Sequence, residues 1–374
     1  MALEYHCPVC KTALGYEGLC WKCKAEQERK QVLEWTEKQV ENKQKNLEEN
    51  IQGISNYKSP EWTDFWNLLR YRNAITPAIQ RAALAAGVFE PAELYYHAPK
   101  DVRDGLMNAL LNTDNCNAED ELMKCLAMQG DDKVLDTFYE MEKKHQTGQS
   151  GEHINPMLYV EWGGWSFDKD GRRIPLTYDV CYPIVKGRKG EKSPVRIAQV
   201  RQDTCPHCGG KMADMLVLDG RDERLGFLNM DGILTAVCCP DCVKFLDDAA
   251  FNRFTLDGSV EVLPSKLFDG SEKRECSIGP EDYQALAENQ FVMADKPVPL
   301  FYGSGIGVNN DENTLGGFGN WVQDCSYTSC PDCGKPMKYL AQIQWETLWH
   351  GSEGTLYIEV CPDCRIASVQ HQET

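Results

Sequence analysis

Near its end, this chain of 374 residues contains one tetrapeptide twice, as Cys330-Pro331-Asp332-Cys333 and as Cys361-Pro362-Asp363-Cys364. Two residues between the cysteines let one tight turn point both sulfurs at a centre about 2.3 Å away, as tetrahedral zinc requires. The proline fixes φ in that turn. Two such turns, called knuckles here, make a closed site of four sulfurs. The twenty-seven residues between Cys333 and Cys361 fit a hairpin that carries both knuckles at its open end.

The same spacing recurs along the whole chain. Twelve of the eighteen cysteines form six pairs, and the distances between the pairs group them into three sets: Cys7, Cys10, Cys20 and Cys23; Cys205, Cys208, Cys239 and Cys242; Cys330, Cys333, Cys361 and Cys364. We therefore predict three structural zinc ions, because four thiolates leave no open position for catalysis. A redox dithiol is the alternative for any single pair, but it requires one reactive pair rather than three matched sets.

The second and third sets are copies of each other. Residues 205–212 match residues 330–337, and residues 231–242 match residues 353–364. A repeat about 122 to 125 residues apart implies two similar β units packed as a pseudo-symmetric pair. In the later copy, Lys338–Trp345 and Thr355–Val360 are predicted as strands on either side of a turn at residues 350–354.

Outside the knuckles, the pattern predicts an α+β protein. Residues 24–51 are charged and free of proline, which is typical of a solvated helix, either a stalk or a helix lying along the body. Residues 59–145 show helical spacing throughout and predict a bundle of about five helices. A polar linker at residues 146–151 precedes a sheet-rich region. We predict three domains: a zinc finger with a long helix over 1–58, a bundle over 59–150, and a β-rich domain over 151–374.

The charge of the chain limits its partners. It carries 39 basic and 57 acidic residues, for a net charge of −18, and the excess lies on residues 59–150 and 151–374. This balance argues against nucleic acid and anionic membranes and favours a partner with a basic surface. No uncharged apolar stretch is long enough to span a bilayer, and no signal peptide is apparent, so we expect a cytoplasmic protein with reduced thiols.

The sequence offers no recognisable catalytic constellation, and we predict no catalytic residues. Residues 303–307 resemble a phosphate-binding loop only in their glycines, because the Lys-Ser/Thr pair is missing. Seven histidines provide few general bases at neutral pH. Around the first knuckle pair, Lys11, Lys22 and Lys24 alternate with Tyr16 and Trp21, a pattern that would also suit a nucleic-acid contact.

Three stretches near the end of the chain carry a family resemblance: Leu315–Gln323, Tyr339–Ile343 and Gly354–Cys361. They resemble the YwqG-like domain family, from about residue 300 onward and more weakly over 155–300. The family often has proline where this chain has Gly319. The resemblance implies a mixed, sheet-rich fold with no established reaction, so no catalytic residue is carried over. Members that have knuckles and additional N-terminal domains look like immunity proteins of bacterial toxin loci.

Our leading hypothesis is a cytoplasmic immunity protein, an antitoxin that binds and occludes a secreted toxin domain with a basic surface. A rigid metal-bound scaffold and an acidic surface suit such capture, because electrostatic attraction accelerates association. Two alternatives stay open: an enzyme of unknown reaction, such as a hydrolase that reverses a modification, and a zinc-ribbon adaptor in a nucleic-acid assembly.

Overall fold

The computed structural model describes residues 5–146, 155–305, 312–349 and 352–373. The chain divides into two compact units: Met1–Val134 with Gly305–Asn310, and Leu135–Ser304 with Asp311–Thr374. The first unit is mainly helical and the second is mainly β-sheet, which confirms the predicted α+β class. The linker predicted at residues 146–151 lies, from residue 147 onward, outside the described residues.

The first unit begins with a small finger and continues with helices. The finger consists of strands β1 (Tyr5–His6) and β2 (Ala13–Leu14), which pair antiparallel. Helical structure follows in α1 (Trp21–Leu33), α2 (Glu37–Glu49), α3 (Pro60–Asn67), α4 (Pro77–Ala86), α5 (Lys100–Leu111), α6 (Cys116–Gln129) and α7 (Asp132–Gln146). Ser59 and Thr76 cap α3 and α4 through their hydroxyls, each followed by proline at the first helical position, as predicted. The helical spacing predicts one apolar face from Leu106, Leu110 and Leu111, but Leu111 is exposed.

The single charged helix predicted over residues 24–51 is two helices in the structure. The first ends at Leu33, with Glu34 as its C-cap, and Thr36 caps the start of the second. The Thr36 hydroxyl accepts from Gln39 N at 3.3 Å, and Gln39 Oε1 accepts from Thr36 N at 2.9 Å. This reciprocal pair is a capping box, and its sequence signature was overlooked. Helix α2 is no free stalk, because Val40 and Leu47 are buried within the helical unit and Lys43 pairs with Asp64.

The second unit contains short helices and two main sheets. Its helices are the end of α7, then α8 (Met157–Val160), α9 (Pro280–Glu288) and α10 (Trp345–Leu348). Its strands are β3 (Trp165–Phe167), β4 (Arg173–Pro175), β5 (Tyr178–Lys186), β6 (Val195–Thr204), β7 (Lys211–Asp219), β8 (Ile233–Cys238), β9 (Ala250–Phe254), β10 (Val260–Val262), β11 (Phe291–Met293), β12 (Asn313–Gly317), β13 (Lys338–Gln344), β14 (Thr355–Cys361) and β15 (Ile366–Gln372).

All strand pairs in these sheets are antiparallel among the described residues. One sheet has the order β6-β7-β8, and the larger has the order β10-β9-β15-β14-β13-β12-β5-β11. A large apolar core draws residues from both, among them Leu216 and Leu234 of the smaller sheet and Leu356 and Ile358 of the larger. This burial is the main driving force holding the two sheets together.

The sequence repeat is also a structural repeat. In the β7–β8 hairpin, Ala213 opposes Cys238, Leu216 opposes Ala236, and Asp219 opposes Ile233. In the β13–β14 hairpin, the residues 125 and 122 positions later oppose each other in the same way, from Lys338 with Val360 to Gln344 with Thr355. Even the bulge is shared, because the register shifts at Met215 in one hairpin and at the matching Leu340 in the other. The predicted strands of the later copy are thus present.

The turn predicted between these later strands lies partly outside the described residues, at 350 and 351. The sequence also predicts a strand around Tyr159–Phe167, a turn at Asp168–Gly171 and a partner strand over Ile174–Val185. Strands β3 and β4 pair across that turn, but they are short, and Tyr159 and Val160 are helical. In the described parts of the chain, each helix is too short or too polar to cross a bilayer.

Candidate metal centres

The structure brings the cysteines together in the three predicted sets. Within each set, the four sulfurs all lie within 4.8 Å of one another: site 1 (Cys7, Cys10, Cys20, Cys23), site 2 (Cys205, Cys208, Cys239, Cys242) and site 3 (Cys330, Cys333, Cys361, Cys364). All eighteen cysteines are free thiols. Each set could hold one metal ion.

The distances between sulfurs fit a shared ion rather than disulfides. The Sγ atoms of Cys10 and Cys20 are 3.4 Å apart, those of Cys208 and Cys239 3.6 Å, and those of Cys333 and Cys361 3.8 Å. Ligands at about 2.3 Å from a tetrahedral ion lie about 3.8 Å from one another. A disulfide would need about 2.05 Å. The sulfurs therefore surround a space of the size that one tetrahedral ion requires.

One backbone turn builds the first knuckle of every site. In site 2, Cys205 N donates to Gly210 O at 2.7 Å and Gly209 N donates to Cys205 O at 2.9 Å. The same two bonds form from Cys330 and Gly334 in site 3, and from Cys7 and Lys11 in site 1. The residue after the second cysteine takes a left-handed conformation, with φ of 72° at Gly209 and 65° at Lys11. Glycine there removes strain, but the turn forms without it.

The second knuckles use their neighbouring elements instead. Cys20 caps α1, so its sulfur accepts from Cys23 N at 3.5 Å, and Cys23 lies in the first turn of the helix. Cys239 leads likewise into a short helical turn, with Cys242 N 3.4 Å from its sulfur. Because a helix N-terminus presents free N–H groups and a positive dipole, it stabilises thiolates. The knuckle at Cys361 is instead the turn between β14 and β15.

Residues 274–277 enclose site 2 at its second knuckle. Asp241, inside the second knuckle, is buried; its carboxylate pairs with Arg274 at 3.2 Å and accepts from Ser277 Oγ at 2.6 Å. In site 3, the matching Asp363 is exposed and pairs with Lys335 at 3.1 Å. Site 2 is thus the more deeply embedded of the two repeated sites.

The thiols cannot all ionise in these clusters without a cation. Burial raises the pKa of Cys361, and hydrogen bonding to Cys330 raises it further. For Cys364, burial is again the first cause of a pKa raised to about 11. Thiolate is the form that binds metal, so metal binding must displace these protons. Metal affinity at site 3 should therefore fall as the pH is lowered.

The cysteines outside the sites have different environments. Cys125, Cys181, Cys238 and Cys325 are buried, and neither Cys238 nor Cys325 joins a cluster among the described residues. The helical region around Cys116 predicts a small apolar filler there, but Cys116 is exposed. Cys276 is the cysteine that the sequence pattern did not reveal as part of a cluster. Its sulfur lies within 4.8 Å of the Cys208 sulfur and of a carboxylate oxygen of Asp241.

A second buried feature lies on the sheet face opposite the main core. Polar side chains of β13, β14 and β15 are buried there beneath residues 318–328. They bind the backbone of that loop: Asn320 N donates to Gln342 Oε1 at 2.8 Å, Gln323 N to Gln372 Oε1 at 3.1 Å, and Thr328 N to Glu359 Oε2 at 2.9 Å. A buried loop needs partners for its backbone groups, and this polar face supplies them.

Two carboxyl groups belong to this region. Burial raises the pKa of Glu359 to about 8, although hydrogen bonds from Thr328 and Ser368 oppose the shift. Burial likewise raises the pKa of Glu161 to about 7, against a hydrogen bond from Tyr327 N at 3.3 Å. Glu359 is fully buried, so its role here is to hold the loop.

The helical unit has an acidic cleft of about 340 Å³. Glu90, Asp120 and Glu121 line it together with Lys124, which pairs with Asp120 at 2.6 Å. Burial raises the pKa of Glu121, and repulsion from Glu90 and Asp120 adds to the shift. The glycine-rich stretch at 303–307 forms no cradle in its described part, where Gly303 O accepts from Gln342 Nε2 at 2.8 Å; residues 306 and 307 lie outside it.

Comparison with known proteins gives one relative without a described activity. The uncharacterized protein YpfL of Salmonella typhimurium is 28% identical over 285 residues, which cover 75% of this chain and 64% of YpfL. The match thus spans just under two thirds of that relative's length. No family model matches the chain, and no solved structure matches it.

Proposed function

We propose that this protein is a cytoplasmic immunity protein, which binds the toxin domain of a secreted bacterial toxin and occludes its active cleft, with three zinc ions stabilising the scaffold. The observation that carries the proposal is the crowding of acidic groups in the cleft of the helical unit, on a chain of net charge −18. The resemblance of residues 300–374 to YwqG-like domains, some of which look like immunity proteins, supports it from the sequence.

Zinc suits the clusters because four thiolates in tetrahedral array bind a d¹⁰ ion without geometric strain. Iron also accepts four thiolates, so metal analysis must separate the two. Closed four-sulfur sites hold hairpins and helices in place and leave no ligand position for a substrate. The proposed role of the metals is therefore structural, and partner recognition falls to the acidic surface.

The electrostatic support comes from repulsion within the cleft. Burial raises the pKa of Glu121 first, and the nearby charges of Glu90 and Asp120 raise it further, although Lys124 opposes the shift. Like charges in a partly buried cleft are unfavourable, and a lysine or arginine side chain of a partner would relieve that repulsion. Long-range attraction between an acidic protein and a basic toxin face would also accelerate their encounter.

The test is co-expression with the toxin domain encoded by the neighbouring gene in the native host. We expect growth to be restored, and the purified proteins to form a complex whose association slows as salt is raised. Continued toxicity, together with the absence of a complex at low salt, would overturn the proposal.

A pair of matched variants tests the contribution of the cleft. Glu90→Gln/Asp120→Asn/Glu121→Gln removes three negative charges there, and we expect association about tenfold slower. The control removes three exposed carboxylates from α2, at Glu41, Glu48 and Glu49, where the surrounding charge is balanced. Equal slowing in both variants would show that only net charge matters.

A zinc-ribbon adaptor is the second candidate, because the finger exposes aromatic side chains. Tyr16 is 52% exposed and Trp21 41%, and Lys22 Nζ lies 5.1 Å from the Trp21 ring centroid. Aromatic faces beside lysines bind unstacked bases. Salt-dependent binding of a single-stranded oligonucleotide by the full chain, lost in Trp21→Ala, would favour this function over toxin capture.

A further inference from the structure

Site 2 has a fifth thiol beside its four sulfurs. Cys276 Sγ, Cys208 Sγ and a carboxylate oxygen of Asp241 all lie within 4.8 Å of one another. Gly210 leaves room for this approach: a Cβ there would lie 2.5 Å from Cys276 Sγ and 3.3 Å from Cys208 Sγ. In site 3, Lys335 stands at the position that matches Gly210. Among the described residues, no fifth thiol lies close to the four sulfurs of site 3.

The position of Cys276 is fixed by the site itself. Arg274, two residues before it, donates to Asp241 O at 3.0 Å and pairs with the Asp241 carboxylate. Ser277, the next residue, donates to that carboxylate from its N at 3.0 Å and from Oγ at 2.6 Å. Because Asp241 lies between Cys239 and Cys242, the knuckle holds both sides of Cys276. The thiol is thus placed by contacts with the knuckle, which include a bond from Arg274 Nη1 to Cys242 Sγ at 4.0 Å.

Both thiols are accessible to a small oxidant. Cys208 and Cys276 are each partly exposed, whereas the other sulfurs of site 2 are buried. Their sulfurs must approach by about 2.8 Å or less to reach disulfide length. The Cys276 thiol lies 3.7 Å from Tyr283 OH and from Ile278 O, and these long contacts are weak enough to be given up in this movement.

We infer that Cys276 is the resolving thiol of a redox-sensitive metal centre: a peroxide converts Cys208 and Cys276 into a disulfide and so removes one ligand from site 2. The Cys208 thiolate attacks a peroxide oxygen, which forms an S–O bond, breaks the O–O bond and releases hydroxide. The Cys276 thiol then attacks that sulfur, forming the S–S bond, and the oxygen leaves as water with the thiol proton. The two sulfurs give up two electrons, which reduce the peroxide.

The consequence is specific to one site of the three. A disulfide sulfur is no longer an anionic ligand, so site 2 would hold its metal through three sulfurs and bind it less tightly. Site 3 has the same knuckles without the fifth thiol, and it serves as an internal comparison in the same molecule. Binding of a toxin is not required, so this inference rests only on the metal occupancy part of the proposed function.

The experiment treats the metal-loaded full chain with hydrogen peroxide. Metal content is measured first, so absence of bound metal is a result separate from absence of the disulfide. After the thiols are alkylated, mass spectrometry of peptides should find Cys208 joined to Cys276. We expect about one metal ion per chain to be released early from the unchanged protein. In Cys276→Ser, this release should be at least about fivefold slower. Cys116→Ser, which removes an exposed thiol elsewhere, should release metal as the unchanged protein does.

Three results would overturn the inference: Cys208 joined to Cys205 or Cys239 instead, release from site 3 as fast as from site 2, or equal release from Cys276→Ser and the unchanged protein. Should Cys276→Ser fold poorly, the peptide map of the unchanged protein and the comparison of its two repeated sites still decide the question.

Discussion

At the residue scale, the most informative groups are the buried carboxyls, because burial and hydrogen bonding act on them in opposite directions. Glu359 accepts from Thr328 N at 2.9 Å and from Gln370 Nε2 at 3.2 Å, yet its pKa is raised. Glu161 accepts from Tyr327 N at 3.3 Å, and its pKa is raised to about 7. Desolvation of the charged form therefore outweighs the donors at both positions.

Replacing Glu161 by glutamine should flatten the pH dependence of stability. The pKa of Glu161 rises from 4.5 to about 7 on folding, so the unfolded chain loses this proton first as the pH rises. The unchanged protein should therefore lose stability between about pH 4.5 and 7, by about 1 to 2 kcal/mol, a figure reduced by the partial exposure of the carboxyl. Glu161→Gln keeps an oxygen acceptor for Tyr327 N, and its stability should not fall in this way as the pH rises.

The measurement is the free energy of unfolding of both proteins in denaturant at pH 5 and pH 7.5. Glu288→Gln, at an exposed position of α9, controls for the loss of one negative charge. The raised pKa of Glu161 would be contradicted if the difference in free energy of unfolding between Glu161→Gln and the unchanged protein were the same at both pH values.

At the element scale, the break between α1 and α2 shows how two side chains, Arg72 and Thr36, divide a helix that the composition favours throughout. Arg72 Nη1 donates to the carbonyls of Val32 and Leu33 at 3.2 Å and of Trp35 at 3.0 Å, so the end of α1 is satisfied from another segment. Thr36 satisfies the start of α2. The break is thus stabilised from both sides.

Replacing Thr36 by alanine should destabilise the helical unit by about 1 kcal/mol, because the N–H of Gln39 loses its acceptor. The same change at Thr63, an exposed position inside α3, should be neutral or slightly stabilising, since alanine is the better helix former. Chemical denaturation followed by the helical circular dichroism signal compares the two variants. Equal stability of Thr36→Ala and Thr63→Ala would show that the break does not depend on the cap.

The sequence predicts those elements whose information is local. Cysteine spacing and strand alternation suffice for the β7–β8 and β13–β14 hairpins, and Ser59 and Thr76 suffice for the starts of two helices. The polar sheet face is different, because Gln342 and Gln372 accept from backbone N–H groups of a loop that lies 22 and 49 residues earlier in the chain. No local pattern announces such a pairing. Cys276 was missed for the same reason, being 68 positions from Cys208.

At the scale of the whole molecule, the proposed roles of the metal sites and of the acidic surface are separate. The helical unit has one four-sulfur site at its finger, and the sheet unit has two at the open ends of its repeated hairpins. In sites 2 and 3 the cysteines also pack in small apolar clusters, Cys330 and Cys361 with Met337 and Cys205 and Cys239 with Met212. Under the proposed function, the acidic cleft would contact the toxin, while the metals would hold the finger and the hairpins in a fixed shape, which lowers the entropy lost on binding.

Purified protein should contain about three zinc ions per chain, and single-site variants should each remove one, because each cluster draws its ligands from its own two knuckles. Cys10→Ser and Cys333→Ser alter one exposed ligand in site 1 and in site 3, respectively, so they form a matched pair. We expect about two zinc ions in each by elemental analysis, with hydrogen-exchange protection falling near β1–β2 in the first and near the open end of β13–β14 in the second. Cys116→Ser, outside every cluster, should keep all three. A zinc content near zero in the unchanged protein, or loss of all zinc from one variant, would contradict three independent structural sites.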